Sequence, residues 1–119
     1  MSLRVFDLLI VSALVSACLF VPGCVSTTIG DARYSGGNLT LSFSHSGEPS
    51  AGYVQVTVYR IRDNLQEEET TLYAPLSLQT GENTAYVNRT LEPGQYKLYI
   101  YLIQDGERKS AAIRDIVVS

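Results

Sequence analysis

The chain has 119 residues and a net charge of −3, from 9 Lys and Arg against 12 Asp and Glu. That length allows one domain, and the mildly acidic balance argues against the basic surface that nucleic-acid binding requires, so no nucleic-acid partner is expected. Two cysteines and a single histidine provide no cluster of soft ligands for zinc or copper. We therefore expect neither a metal nor another cofactor.

Residues 1–24 predict a signal peptide or membrane anchor. Arg4 precedes an apolar run of 14 residues, 8–21, which is shorter than the ~20 residues of a membrane span but suits the core of an export signal. A small residue stands directly before each cysteine, as a lipid-attaching peptidase requires. We predict lipid attachment at Cys24, where the sequence turns polar, with Cys18 as the alternative site and an uncleaved helix as the alternative anchor. In each case the domain is exported, to the outer face of the cytoplasmic membrane or the cell surface.

The next segment, 25–37, is small and polar and predicts a tether, with room for a short first strand over 29–34. Fully extended, this segment spans up to ~45 Å. From residue 38 to 119, apolar and polar residues alternate in runs separated by turn residues, which predicts β-strands. These runs lie at 39–46, 53–63, 70–78, 84–91, 96–103 and 110–119.

Two connections and a proline carry specific expectations. "DNLQEEE", 63–69, predicts a charged loop, while "QDGERK", 104–109, contains the Asp-Gly pair of a tight hairpin. Pro75 lacks a backbone donor and therefore favours an edge strand or a crossing between sheets. About seven short strands with this turn chemistry predict an all-β fold, an immunoglobulin-like sandwich of two antiparallel sheets that occupies residues 38–119.

The stretch "LEPGQYKLYIYL", 91–102, predicts a corner of that sandwich. Pro93 and Gly94 reverse the chain, and Tyr96 begins a strand on the same side as its inward-facing apolar residues. A tyrosine in this position buries its ring and bonds the incoming turn through its hydroxyl, which is the tyrosine corner of sandwich domains. We interpret these three residues as structural rather than catalytic.

The sequence "PGQYKLYIYLIQDG", 93–106, resembles the end of immunoglobulin-like modules from prokaryotic cell-surface proteins, and the PKD and CARDB types are the most similar. The resemblance implies an extracellular sandwich that serves as a spacer, an adhesion module or a subunit of a surface assembly. Modules of these types need no cofactor. The chain lacks tryptophan and an inter-sheet cysteine pair, which excludes an antibody-like domain.

Tyrosine is enriched, since eight are present and all lie beyond residue 24. If the strands at 53–61 and 96–103 are neighbours with their aliphatic residues inward, the alternate positions share the outer side of one sheet. Tyrosine offers a large contact area with a polar tip, so we take this side as a candidate interaction face. The alternative is that its aromatic pairs only stabilise an exposed sheet. Its members are Tyr53, Tyr59, Ile61, Tyr99, Tyr101 and Ile103.

No residue pattern indicates catalysis, and we expect no enzyme activity. His45 stands beside Ser46 and Glu48 in one segment, which cannot form a line of nucleophile, base and orienting group, so we expect a solvated loop histidine. Three consecutive glutamates, 67–69, point in different directions and do not match a calcium-binding loop.

Two asparagines, Asn38 and Asn88, each begin the Asn-X-Thr pattern of N-glycosylation. Together, the sequence features predict a non-catalytic, membrane-tethered binding, adhesion or scaffolding module. Its expected partners are the membrane, through the N-terminal lipid or helix, and another surface protein or envelope component. The alternatives are a structural subunit of an envelope or surface-layer complex and an accessory domain of a separately encoded surface enzyme.

Overall fold

The computed structural model describes residues 27–119. Short turns and loops join strands along this whole range. The strands are β1 (Thr27–Ser35), β2 (Asn38–His45), β3 (Ser50–Arg62), β4 (Leu65–Leu78), β5 (Gly81–Asn88), β6 (Gly94–Gln104) and β7 (Glu107–Val118).

The strands form two sheets, one of three strands in the order β1-β2-β5 and one of four strands in the order β4-β3-β6-β7. Every pair of neighbouring strands is antiparallel. The chain changes sheet after β2, after β4 and after β5. The predicted all-β, immunoglobulin-like sandwich is therefore confirmed. Strand β4, which contains Pro75, lies at a sheet edge, where a missing backbone donor is tolerated.

The core lies between the sheets and follows the alternation of the sequence. Leu41 and Phe43 from one sheet, and Val56 and Ile100 from the other, are fully buried. Burying one such side chain contributes about 1.5–3 kcal/mol relative to leaving it exposed. Because every second residue of a strand faces the same side, the remaining positions form two outer faces.

The first strand begins before the predicted domain boundary. Within the segment expected to be a tether, 25–37, residues 27–35 form β1 and pair with β2. The pairing shifts between Ile29 and Ala32, which interrupts the alternation that would identify a strand in the sequence. Ile29 is buried in the core. Its burial stabilises the pairing of β1, whose other residues are mostly polar, with β2.

The predicted charged loop, 63–69, is instead a two-residue turn followed by a strand. Asp63 and Asn64 adopt φ values of +51° and +64°, in the left-handed region that Asp and Asn tolerate better than most residues. A turn of this kind matches the twist of a hairpin, and β4 begins directly after it. Glutamates 67–69 therefore lie on an edge strand, where charged side chains discourage pairing with another chain.

Arg114 closes one side of the sandwich, where the edge strands β1 and β7 approach each other. Its side chain donates hydrogen bonds from Nε to the carbonyl of Gly30 at 2.9 Å and from Nη2 to the carbonyl of Ile29 at 2.7 Å. Both carbonyls lie at the irregular part of β1. A hydrogen bond from a charged donor contributes about 1.5–3 kcal/mol, so Arg114 stabilises the junction between the two sheets.

The loop between β5 and β6 is held by one tyrosine from each sheet. The Tyr96 hydroxyl donates to the carbonyl of Glu92 at 2.6 Å, which is the bond that the predicted tyrosine corner requires. The Tyr34 hydroxyl, on β1, accepts the backbone N–H of Leu91 at 2.9 Å, and the sequence pattern did not predict this second brace. One loop therefore ties both sheets together at this end of the sandwich.

Arg60 completes the corner from β3. Its guanidinium donates to the Glu92 carboxylate at 3.0 Å and to the carbonyl of Pro93 at 3.1 Å, and lies 5.9 Å from the centre of the Tyr96 ring. The hydrogen bond to Glu92 raises the pKa of Arg60. Burial raises the pKa of Tyr96, and the charge of Arg60 opposes part of that rise. Gly94, at the turn itself, has a φ of +155°, a value that favours glycine.

Candidate interaction face

The outer side of the four-stranded sheet carries five of the eight tyrosines, and we call it the tyrosine face. It exists because the valines of β3 and the aliphatic residues of β6 face the core, which turns the alternate side chains outward. Its members are Tyr53, Tyr59 and Ile61 on β3, Tyr73 on β4, Tyr99, Tyr101 and Ile103 on β6, and Ala111, Ile113 and Val117 on β7.

Four of these tyrosines pack in pairs across neighbouring strands. The rings of Tyr59 and Tyr99 meet edge to face, with centres 5.1 Å apart and planes at 73°. Tyr53 and Tyr73 lie 6.2 Å apart at 54°. Aromatic pairs of this geometry contribute about 0.5–1.5 kcal/mol beyond the area that they bury, so the pairs also hold the rings in place.

A shallow groove runs between β6 and β7 on this face. Tyr99 and Tyr101 form one wall, while the β7 residues opposite them in register are Ile113 and the much smaller Ala111. The difference in side-chain size opens a cavity of about 520 Å³ with a largely apolar lining. The guanidinium of Arg108 lies 4.1 Å from the centre of the Tyr101 ring, a cation–π contact at the end of the groove.

A second hollow, of about 390 Å³, lies on the same side of the sheet at the end nearer the β3–β4 turn. It is lined in part by Ile61, Lys97 and Val117. Val117 is 70% exposed, and the ion pair between Lys97 and Asp115, at 3.6 Å, lies beside it. The face therefore combines apolar and charged contact points along its length.

The structure places the six residues of the predicted face on the outer side of one sheet, but it does not leave all of them accessible. Tyr53 is exposed, and Tyr59, Ile61, Tyr99 and Tyr101 are half-buried. Ile103 is only 7% exposed and cannot contribute contact area as predicted. In register it lies between Tyr53 of β3 and Arg108 of β7, two large side chains that flank it.

Tyr73 and Ile113 belong to the tyrosine face although the sequence analysis did not predict them. Tyr73 is 63% exposed. Its outward position could have been predicted from its alternation with the buried residues that follow it in β4, but Pro75 interrupts that pattern in the sequence. Ile113 is 53% exposed. Hydrophobicity alone would place Ile113 on the inner side of β7. Arg114 takes the inner side instead, where it bonds the carbonyls of β1, and Ile113 therefore points outward.

His45 is not the solvated loop histidine that the sequence favoured. It ends β2 and is 6% exposed. Nε2 lies 2.8 Å from the carbonyl of Glu48, which only accepts, so this nitrogen donates. Nδ1 lies 2.8 Å from Oγ1 of Thr27. The histidine therefore joins the start of β1 to the β2–β3 loop, which is a structural role.

The two asparagines of the glycosylation pattern, Asn38 and Asn88, are both exposed and are direct partners in the β2–β5 register. They lie on the outer side of the three-stranded sheet, so a glycan on either one would be remote from the tyrosine face. Cys24 and Cys18, the two sites considered for lipid attachment, lie outside the described residues.

Within residues 27–119, no group of three or more His, Cys, Asp or Glu side chains is placed to hold a metal ion. The consecutive glutamates of β4 make other contacts: Glu69 lies 4.0 Å from Arg60, and Glu68 accepts a hydrogen bond from Thr71. The same range contains no helix that is long and apolar enough to cross a bilayer.

No protein-family model matches the chain, and no curated protein matches it. Among solved structures, the chain is similar to a crystal structure from Bacteroides fragilis described as a "putative beta-galactosidase", with 16% sequence identity and a TM-score of 0.45. The similarity covers 78% of this chain and 16% of that chain. The chain thus spans a small part of that protein's length, and a similarity this distant carries no conclusion about activity, substrate or family.

Proposed function

We propose that this chain is a non-catalytic binding module of the immunoglobulin-like type, exported and held at the outer face of the membrane through Cys24, and that it contacts another surface protein through the tyrosine face. The export features of residues 1–24 and the similarity of residues 93–106 to PKD- and CARDB-type modules support the location and the class of partner.

The observation that carries this proposal is the difference between the two outer faces. We call the outer side of the three-stranded sheet the polar face. Its central positions are Thr40, Ser42, Ser44, Thr84 and Tyr86. Strands β2 and β5 pair without interruption from Asn38 to His45 while these outward positions hold mostly Ser and Thr. Strand pairing therefore does not require the aromatic residues that cover the other sheet. Contact with a partner protein would account for them.

The tyrosine face also has the shape and chemistry of a recognition surface. Tyrosine has few rotatable bonds, so ordering it on binding costs little entropy, and its hydroxyl can bond a polar partner group. The groove beside Tyr101 provides a place for one apolar side chain of the partner. Arg108 and Lys97 at its margins provide charged groups for orientation.

The test is a double variant, Tyr99→Ser with Tyr101→Ser, compared with Tyr86→Ser on the polar face. Tyr86 is 69% exposed, so Tyr86→Ser is a control that removes one exposed tyrosine from the opposite face. Losing two contacts at the centre of an interface costs about 2 kcal/mol or more, which weakens binding about thirtyfold or more. Crosslinking in intact membranes followed by mass spectrometry measures the yield of the partner's crosslink.

We expect the partner's crosslink to be lost in the double variant and retained in Tyr86→Ser. The Tyr59–Tyr99 pair contributes about 0.5–1.5 kcal/mol beyond its buried area, a small part of the ~5–15 kcal/mol that typically stabilises a domain. The double variant therefore remains folded, and its free energy of unfolding can be measured in urea. A double variant that unfolds more easily but retains the crosslink would contradict the proposal and assign these tyrosines to sheet stability alone.

A structural subunit of an envelope complex is the second candidate, and strand β7 is the observation that favours it. This edge strand exposes Ile113 at 53% and Val117 at 70%, which suits permanent docking. Recovery of the chain from native membranes in a complex of constant stoichiometry would favour the subunit. Recovery as a free tethered monomer would favour the binding module.

A further inference from the structure

We infer that the sandwich stands on the membrane by one defined end, with its strands along the membrane normal. This end, which we call the base, consists of the loops 46–49 and 79–80 and the turn 105–106. The inference rests on the lipid attachment at Cys24 proposed above. The surface that contacts the base is the lipid head-group layer.

The first point is that the chain is fixed to the base from Thr27 onward. The Thr27 hydroxyl meets Nδ1 of His45 at 2.8 Å, and the Thr27 carbonyl accepts the Ser110 hydroxyl at 2.5 Å. In the β1–β2 register Thr27 is also the partner of His45. These contacts join it to both sheets, so the first described residue cannot move away from the base without loss of structure.

The second point is the length of chain that remains. Only residues 25 and 26 separate Cys24 from Thr27. Whatever conformation they adopt, the Cα atoms of Cys24 and Thr27 lie within ~11 Å of each other. The ~45 Å that a 13-residue tether would allow is therefore not available, because most of that segment forms β1.

This short reach also disfavours an orientation in which the tyrosine face lies on the membrane. Thr27 belongs to the three-stranded sheet, on the other side of the core from that face. Packed sheets are ~10 Å apart, although they come closer where Thr27 bonds Ser110 of β7, and the tyrosine side chains add to that height. Thr27 would then be raised above the lipid by about the whole length that residues 25 and 26 can span, whereas contact through the base requires no such extension.

The chemistry of the base suits head groups rather than the hydrocarbon. Its loops consist of small and polar residues, "SGEP", "QT" and "DG". Nearby charges are mixed, as in the 3.0 Å ion pair between Lys109 and Glu107. Among the described residues, exposed Leu65 and Val117 lie toward the opposite end, which the 13-residue β3 places up to ~40 Å from the base. The tether rather than charge therefore sets the orientation.

This placement decides what the tyrosine face can meet. With the strands along the membrane normal, the face stands perpendicular to the membrane plane. It is then open to a protein that stands beside the module on the same membrane, rather than to a ligand approaching along the normal.

Two labels on one strand test the orientation. Glu82 and Asn88 lie at opposite ends of β5, both exposed and both on the polar face. Six residues of strand separate them by ~20 Å along its axis. Beyond residue 24 the chain has no cysteine, so in lipid-modified protein Glu82→Cys or Asn88→Cys provides the sole thiol for a fluorescent label. The labelled full chain is placed in phosphatidylcholine vesicles that carry a short-range quencher on the head group.

We expect several-fold stronger quenching at residue 82 than at residue 88. Equally strong quenching at both would show that the polar face lies flat on the membrane, and equally weak quenching would show that the base is held away from it. Either result overturns the inference while leaving the tether intact, provided that the mass of the protein shows the lipid on Cys24. An unmodified Cys24 in protein recovered from its native membrane would overturn the tether and the orientation together.

Lengthening the tether tests the reason for the orientation. Eight Gly and Ser residues inserted between Ser26 and Thr27 add a flexible span of about 16 Å. We expect quenching at residue 82 to fall towards the level at residue 88. Unchanged quenching would show that the base binds lipid by itself, which would overturn the role assigned to the short tether.

Discussion

The two sheets of this sandwich are alike on the inside and different on the outside. On their inner sides both follow the same rule, since Leu41 and Phe43 in one and Val56 and Ile100 in the other are fully buried. On their outer sides the three-stranded sheet displays the polar face and the four-stranded sheet displays the tyrosine face.

The core positions and the outward positions of these sheets are therefore under different physical constraints. Burial of apolar area stabilises both sheets in the same way, at ~25 cal/mol per Å², and it constrains only the inward positions. The polar face shows that the outward positions of a paired sheet in this protein can be Ser and Thr. Strand pairing alone therefore does not account for the tyrosines of the other sheet, and this difference is what supports the recognition role proposed above.

The largest difference between the sheets is expected when one methyl group is added at a glycine of each. A Cβ on Gly52 of β3 would lie 2.6 Å from the carbonyl oxygen of Ile103 and 2.7 Å from Cγ of Gln104. Since backbone cannot move aside without disturbing the β3–β6 pairing, we expect Gly52→Ala to lower the free energy of unfolding by about 2–3 kcal/mol, measured in urea.

Gly30→Ala in β1 is the matched variant in the other sheet. Its Cβ would lie 2.5 Å from Oγ of Ser42, a hydroxyl that can rotate away at the cost of its 3.2 Å bond to the carbonyl of Asp31. We expect a smaller loss of about 1 kcal/mol, which Ser42→Ala restores in the double variant. Equal losses for the two alanine variants, with no rescue, would contradict this difference between the sheets.

The two tyrosines that hold the β5–β6 loop, Tyr34 from one sheet and Tyr96 from the other, are expected to depend on each other. Tyr96→Phe removes the bond to the Glu92 carbonyl, and Tyr34→Phe leaves the N–H of Leu91 without its partner. Each loss is expected to cost about 1–1.5 kcal/mol. Because both tyrosines hold the same loop, the double variant should lose less than the two single losses combined, as a urea-based double-mutant cycle will measure. Strict additivity would show that the braces act independently.

The smallest expected effect is a pH dependence at the Tyr96 corner. Burial raises the pKa of Tyr96, so the unfolded chain ionises this residue at a lower pH than the folded chain does. The neutral phenol therefore stabilises the fold fully below pH ~10, and this contribution falls as the pH rises through the folded-state pKa. We expect the advantage of the natural chain over Tyr96→Phe in urea to shrink above pH ~10. An advantage that stays constant to higher pH would contradict this linkage.

Most of the strands, the corner and the inner sides of β2, β3 and β6 were predictable from sequence because they depend on local chemistry. Alternation in residues 53–61 and 96–103 assigns each side chain to one side of a strand, whatever the partner strand is. Pro93, Gly94 and Tyr96 indicate a corner because their backbone preferences act within a few residues. The same alternation turned the tyrosines of β3 and β6 to one outer side.

The remaining features depend on contacts between residues far apart in the chain, and no local pattern reveals them. β1 interrupts its alternation at a shifted pairing, and Arg114 turns inward because carbonyls of β1 lie within its reach. Ile103 is covered and His45 is buried because neighbouring strands and loops close over them. The sequence alone therefore determined where most of the strands lie and which side of β2, β3 and β6 is apolar, since that depends on local alternation. Only the tertiary structure decided which outward residues stay accessible and that the sandwich begins as early as Thr27, because these depend on which distant strands meet.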